Sequence, residues 1–266
     1  MSSRRNLLTI GFVFALVTLL RTWIIGSGGI SFDSDEAIVN LMARHITHGE
    51  PVPTFFYGQA YMGSLSAILV AGGFSLFGES VEAARIVQLA LFLVTLLSGY
   101  ALAQALTGSM RIAALALLIM AFPPANTTLY TSASLGGWHE VVLLGNVTLL
   151  LAWQVTVGRR RERWRWLALG LVAGLGWWTN SAIITALAVA GVLGLRHFSL
   201  KLWPHYILAA AGFILGSLPW WVYNLRHDWE ALLYLFTGYG SPLSASISVG
   251  DRALGLLGLG LPALYG

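Results

Sequence analysis

Long apolar runs separated by short basic loops leave this chain few ways to fold. Hydrophobic stretches cover 6–26, 60–78, 83–107, 111–125, 138–157, 164–180, 182–197 and 204–225, and a last one begins near Ala253 and continues to the end of the sequence. A straight helical crossing of the bilayer takes about 20 apolar residues. In hydrocarbon the backbone polar groups must be satisfied within the spanning element, which favours helices. The expectation is an all-α, polytopic transmembrane bundle forming a single domain over 1–266. Composition agrees: 57% of residues are hydrophobic and 10% charged, against roughly 25% charged in a soluble domain. The absence of cysteine excludes disulfides and thiolate metal sites. The formal charge of +4 is small and sits in short loops, a topology signal that argues against a nucleic-acid surface.

Those basic loops set the expected orientation. Arg4-Arg5, Arg111, the run 159–163, and Arg196-His197 with Lys201 all fall in the cytoplasm if 60–78 lies on the outer surface and does not cross. The same parity divides 164–197 into two short helices turning outside at Thr179-Asn180-Ser181. The first apolar run is too long for a signal-peptide core and lacks a cleavage site, so it is read as a retained helix. Seven spans result, at about 6–26, 83–107, 111–125, 138–157, 164–180, 182–197 and 204–225. The outer regions are 27–82, with juxtamembrane helices, 126–138 and 226–250. A chain ending inside an apolar run reads as a fragment or a minimal form.

The unusual polar residues fall in the outer regions. Asp33, Asp35 and Glu36 crowd into four positions directly after the first span, and acids beside hydrocarbon are costly unless they bind or catalyse. Ser34 is a candidate N-cap, which places Asp35 and Glu36 in the first turn of a helix with Ile38, Leu41, Met42 and His45 on one side. Helix capping alone would also explain the acids. Tyr57, Gln59 and Tyr61 follow Pro51 and Pro53, and either anchor the interface or line a sugar pocket; Trp138 is a further pocket candidate. His139 and Glu140 open the fourth span as candidates for a metal ligand or a second acid, although neighbours on a helix point apart. Arg226 and His227 break the positive-inside trend and suit an anionic ligand such as a phosphate, or an ion pair with Asp228 or Glu230. The spacing of Gly170 and Gly174 suggests close helix packing.

Phe32-x-x-Asp35-Glu36-Ala37 after one span, a surface helix, proline-rich aromatic residues, and Leu76-Phe77-Gly78 before Arg85 together resemble the GT-C class of membrane glycosyltransferases. Gly216-x-x-Pro219 through Asn224 adds weaker support. The class includes the protein O-mannosyltransferases and the lipid A aminoarabinose transferase, and the resemblance extends over nearly the whole chain. It implies a polyprenyl-phosphate sugar donor and a lipid, glycan or protein acceptor. The reaction would be an inverting transfer at the outer face of the membrane, in bacteria the plasma membrane. By the same resemblance Asp35 is the catalytic acid with Glu36 beside it, and Glu140 or His139 stands where a second outer acid occurs. The leaving phosphate would be met by Arg226 or His227, or by a divalent cation. A non-catalytic membrane scaffold or inactive fragment is the second reading. A transporter comes third, because ionisable residues are scarce at the span centres.

Overall fold

The structure is a computed structural model that describes residues 2–237 together with Gly250, Leu254, Gly255 and Gly258. Residues 238–249 of the third outer region, and most of the run beginning near Ala253, lie outside the described residues. All the regular structure described is helical, with two isolated β-bridges, Phe55 with Gly63 and Met62 with Asn180. The helices are α1 (Ser2–Gly26), α2 (Ser34–Thr47), α3 (Leu65–Phe77), α4 (Val81–Thr107), α5 (Met110–Ala121), α6 (Ala125–Tyr130), α7 (Trp138–Thr156), α8 (Arg163–Thr179), α9 (Ile184–Arg196), α10 (Trp203–Gly216), α11 (Leu218–Arg226) and α12 (Glu230–Thr237).

Among the described residues two stretches, Leu8–Gly26 and Val81–Thr107, are long and apolar enough to cross a membrane; Leu200–Gly216 and Leu218–Arg226 qualify together as one span bent by 65°. This is fewer than the seven expected. The difference lies in helix length and polarity. α5 has 12 residues and α9 has 13, about 18–20 Å of helix at ~1.5 Å per residue against a hydrocarbon core of ~30 Å. α7 carries His139, Glu140, Asn146 and Gln154.

α2 starts one residue earlier than Ser34 capping would place it. Asp33 is the N-cap: its backbone is extended and its Oδ1 accepts the Asp35 N–H at 2.8 Å. Ser34 is the first helical residue. The buried face of α2 is Glu36, Val39, Met42 and Ala43, whereas Leu41, expected inside, is 45% exposed. This face packs on Ala67, Val70 and Phe74 of α3 and on Ala84 of α4. A second cluster joins Val13 and Val17 of α1 to Phe92 and Leu96 of α4 and Leu117 of α5.

Two ends of the bundle can be told apart by their contacts. At one, the start of α4 meets α2 and the segment before α7. There the end of α8 also meets the loop after α2, through Trp178 Nε1–H to the Thr54 carbonyl at 2.9 Å and Gly63 N–H to the Thr179 carbonyl at 2.9 Å. At the other, the α7–α8 loop meets the α9–α10 connection, with His205 Nε2 on the Arg161 carbonyl at 3.1 Å. At four glycines α8 and α10 approach backbone to backbone. A Cβ on Gly170 would strike the Ala209 carbonyl, one on Gly174 that of Phe213, one on Gly212 that of Leu167 and one on Gly216 that of Leu171.

Gly174→Ala should therefore destabilise the fold by about 1–3 kcal/mol through overpacking. Gly191→Ala, where a Cβ meets nothing within 4 Å, should be tolerated. Denaturant unfolding in detergent, followed by circular dichroism, distinguishes the two; equal stability would show that the α8–α10 glycines are not a packing requirement.

Candidate functional site

The three clustered acids have three different surroundings. Asp33 is occupied as the cap of α2. Glu36 is fully buried and forms a two-pronged ion pair with Arg85 of α4, Nε to Oε1 at 3.0 Å and Nη2 to Oε2 at 2.9 Å. The Arg85 Nη2 also reaches the Ser31 carbonyl at 3.5 Å. Asp35 is half-buried, and its carboxylate has no hydrogen bond or ion pair among the described residues. Partial burial raises its pKa, and the charge of Asp33 raises it further. The Tyr61 hydroxyl lies within the field of Asp35; burial first, then Tyr234, then Asp35 push it up to about 12.

Neither Asp35 nor Tyr61 is among the described residues that line the nearby cavity; Tyr61 borders it through Tyr234. The Tyr61 ring stacks on Tyr234, centroids 5.6 Å apart and planes within 6°. Tyr234, Tyr57, Gln59, Tyr223, His227 and Glu230 line a cavity of about 600 Å³ between the proline-rich loop and α11–α12. Gln59 brings a buried carbonyl oxygen with no donor among the described residues. The Tyr57 hydroxyl is tied to His45 Nδ1 at 2.8 Å, and Tyr223 donates to Glu230 Oε2 at 2.7 Å. His227 lies flat on the Tyr223 ring, centroids 4.0 Å apart, and its Nδ1–H donates to the Tyr223 carbonyl at 2.9 Å. The cavity thus offers aromatic faces, an amide and an imidazole, a set suited to a polyhydroxylated ligand.

Not every expected partner converges there. Arg226 is exposed, does not line the cavity, and among the described residues has no ion pair with Asp228 or Glu230. Trp138 packs edge-on against Tyr130 at 5.9 Å and lines a separate apolar groove between α7 and α9. His139 and Glu140 turn inward and meet on Gln88. His139 Nδ1–H donates to Gln88 Oε1 at 2.8 Å, Gln88 Nε2 donates to Glu140 Oε1 at 3.3 Å and to Ser134 Oγ at 3.1 Å, and His139 Nε2 faces Thr95 Oγ1 at 3.2 Å. Among the described residues no three of His, Asp and Glu come together as a metal-ligand set.

Gln88 and Arg21 carry no signal as a local motif, and Arg85 stands in one only as the arginine after Leu76-Phe77-Gly78. Arg21, buried within α1, donates to the Thr131 carbonyl at 3.0 Å, to Thr131 Oγ1 at 2.9 Å and to Ser132 Oγ at 2.8 Å, and lies 3.4 Å over the Phe92 ring. The available clue is that a lone cation or amide inside an apolar run must find acceptors somewhere.

Removing one half of a buried ion pair strands the other. Glu36→Gln should cost about 3–5 kcal/mol in denaturant unfolding, and pairing it with Arg85→Met should recover most of the loss. A stable Glu36→Gln single mutant would remove the pair from the scaffold of the site.

No protein-family model matches the chain, and no curated protein or solved structure matches it either.

Proposed function

We propose that this chain is a multi-span membrane glycosyltransferase of the GT-C type, moving a sugar from a polyprenyl-phosphate donor to a hydroxyl acceptor at the outer membrane face with inversion. The observation that carries the reading is the separation of roles among the acids. Asp33 caps a helix and Glu36 neutralises Arg85, whereas Asp35 is left with an uncommitted, partly desolvated carboxylate. A raised pKa makes a carboxylate a better proton acceptor for an alcohol as that alcohol attacks. Asp35 would take the acceptor proton while the new carbon–oxygen bond forms at the anomeric centre and the bond to the phosphate oxygen breaks. The sugar would sit among Tyr57, Gln59 and Tyr234, and the departing phosphate would be met by the imidazole of His227.

The accompanying topology has seven crossings, with α2 and α3 on the outer surface. α3 packs against α2 and α4, and leaving it on the outer surface keeps the basic loops on one side of the membrane. Arg159, Arg161 and His197 gather at the bundle end opposite Asp35, as cytoplasmic basic loops would.

The chain has no cysteine, so single cysteines report topology cleanly. Glu50→Cys and Glu82→Cys should react with an impermeant maleimide on intact cells, and Arg160→Cys and Lys201→Cys only after permeabilisation. A Glu82→Cys site reached only after permeabilisation would mean that 60–78 crosses the membrane.

The catalytic assignment is tested with radiolabelled polyprenyl-phosphate sugars. Asp35→Asn should lower turnover by about 10²–10⁴-fold with stability unchanged or improved. The sign follows from its raised pKa: the ionised carboxylate disfavours the folded state above that pKa, and asparagine removes the charge. Asp33→Asn keeps the cap, since asparagine caps about as well as aspartate. It removes the charge that raises Asp35, so transfer should persist to lower pH. Full activity in Asp35→Asn would sink the assignment.

A further inference from the structure

The bundle end opposite Asp35 has a cavity of its own, about 160 Å³, between the α7–α8 loop and the α9–α10 connection. Arg159, Arg161, His197, Trp166, Tyr206 and Thr156 line it, and no carboxylate does among the described residues. The nearest acid in sequence, Glu162, is engaged elsewhere, 3.3 Å from Arg165 and 3.9 Å from Arg160. A topology signal accounts for arginines in this loop but leaves the rest of the cavity unexplained. Trp166 is only 4% exposed, and its indole Nε1–H has no acceptor among the described residues. A buried donor without a partner is costly and calls for an acceptor. The Tyr206 oxygen accepts the Ser199 N–H at 3.0 Å, which leaves its own O–H to donate. The loop is fixed in place: Arg160 N–H donates to the Gln154 carbonyl at 3.0 Å, and the Arg161 carbonyl holds His205. Two arginines, a tryptophan with an unpartnered indole N–H and a tyrosine with an O–H left to donate thus line one small space, with no acid among the described lining residues.

We infer that this cavity binds a phosphate group, through Arg159 and Arg161 with Trp166 and Tyr206 as neutral donors. Guanidinium pairs are the side chains best matched to phosphate oxygens, and the volume accommodates such a group. The phosphate comes either from an anionic lipid headgroup or from a free phosphate or pyrophosphate. The inference is independent of sugar transfer, because it uses none of the residues around Asp35.

Two arms separate the sources. The full chain, purified in detergent and stripped of lipid, is titrated with phosphatidylglycerol or phosphatidylcholine and read by native mass spectrometry. Inorganic phosphate and pyrophosphate are titrated separately, with thermal unfolding as the readout. Selective retention of phosphatidylglycerol identifies a lipid source; stabilisation by phosphate or pyrophosphate, or their displacement of the lipid, identifies a free one. Arg159→Gln with Arg161→Gln should weaken whichever binds by about tenfold or more, and Trp166→Phe by about two- to tenfold. Lysine at both arginine positions should restore part of the binding if the loss is one of charge and not of fold. Arg111→Gln, outside the cavity, should change nothing. The inference is overturned if phosphatidylglycerol binds no better than phosphatidylcholine and neither phosphate species stabilises the chain. It is also overturned if the double arginine variant binds as the native chain does, or if Trp166→Phe leaves affinity intact, since the arginines would then act only as exposed surface charge.

Discussion

The two-pronged bond between Glu36 and Arg85 fixes the rest of the site. Both groups are withdrawn from water, and neither could stay charged there alone without a large desolvation cost. The pair therefore sets how α2 lies against α4, residue by residue. Glu36, Val39 and Ala43 stand at i, i+3 and i+7, one stripe of a helix, and that stripe faces inward. Successive residues on a helix are about 100° apart, at 3.6 per turn. Burying Glu36 therefore turns Asp35 toward the edge, where its carboxylate is half-buried and near Tyr61. One acid is spent on architecture, and its neighbour is left free as a consequence.

α4 continues the same logic inward. Arg85, Gln88, Phe92 and Thr95 are spaced by three or four residues along one face, and each holds a different part of the chain: Arg85 takes Glu36, Gln88 takes Ser134, His139 and Glu140, Phe92 carries Arg21, and Thr95 meets His139. A polar stripe of this kind inside an apolar bundle satisfies buried groups pairwise and specifies one arrangement of the helices around it. It also explains why a cation inside α1 is tolerable, since Arg21 ends on three oxygens and an aromatic face.

Much of this was legible from the residues and some was not, for identifiable reasons. Apolar runs mark helices because lipid and core packing ask for the same segments, and the paired glycines of α8 mark close approach because only a missing Cβ permits it. The acid cluster is readable as a helix start because carboxylates favour that end. The cap itself is not, since Asp33 and Ser34 both cap well and the choice depends on the path the chain takes out of α1. Leu41 falls outside the inward face of α2 because that face includes Glu36, whose partner lies 49 residues away and leaves no local trace. Trp138 opens α7 and faces the groove toward α9, and Arg226 ends α11 on the exposed side, so neither lines the cavity. His139 and Glu140, although neighbours, converge on Gln88 because its amide offers an acceptor to one and a donor to the other. His227 reaches the cavity because α11 ends at Arg226 and the chain folds back onto Tyr223.

Asp33 couples the two requirements of this site. An ionised carboxylate caps α2 and favours the helix, and the same charge, two residues from Asp35, makes Asp35 harder to ionise. Holding the helix in place and keeping the neighbouring acid weak thus follow from one negative charge. Asparagine would keep the first effect and lose the second, and alanine would lose both, at about 0.5–2 kcal/mol for the cap. Asp33 holds the first turn that presents Glu36 to Arg85, and with Glu36 turned inward the step of about 100° between neighbours leaves Asp35 at the edge of the helix. Cap, buried ion pair and unpaired carboxylate are thus divided among three acids within a single turn.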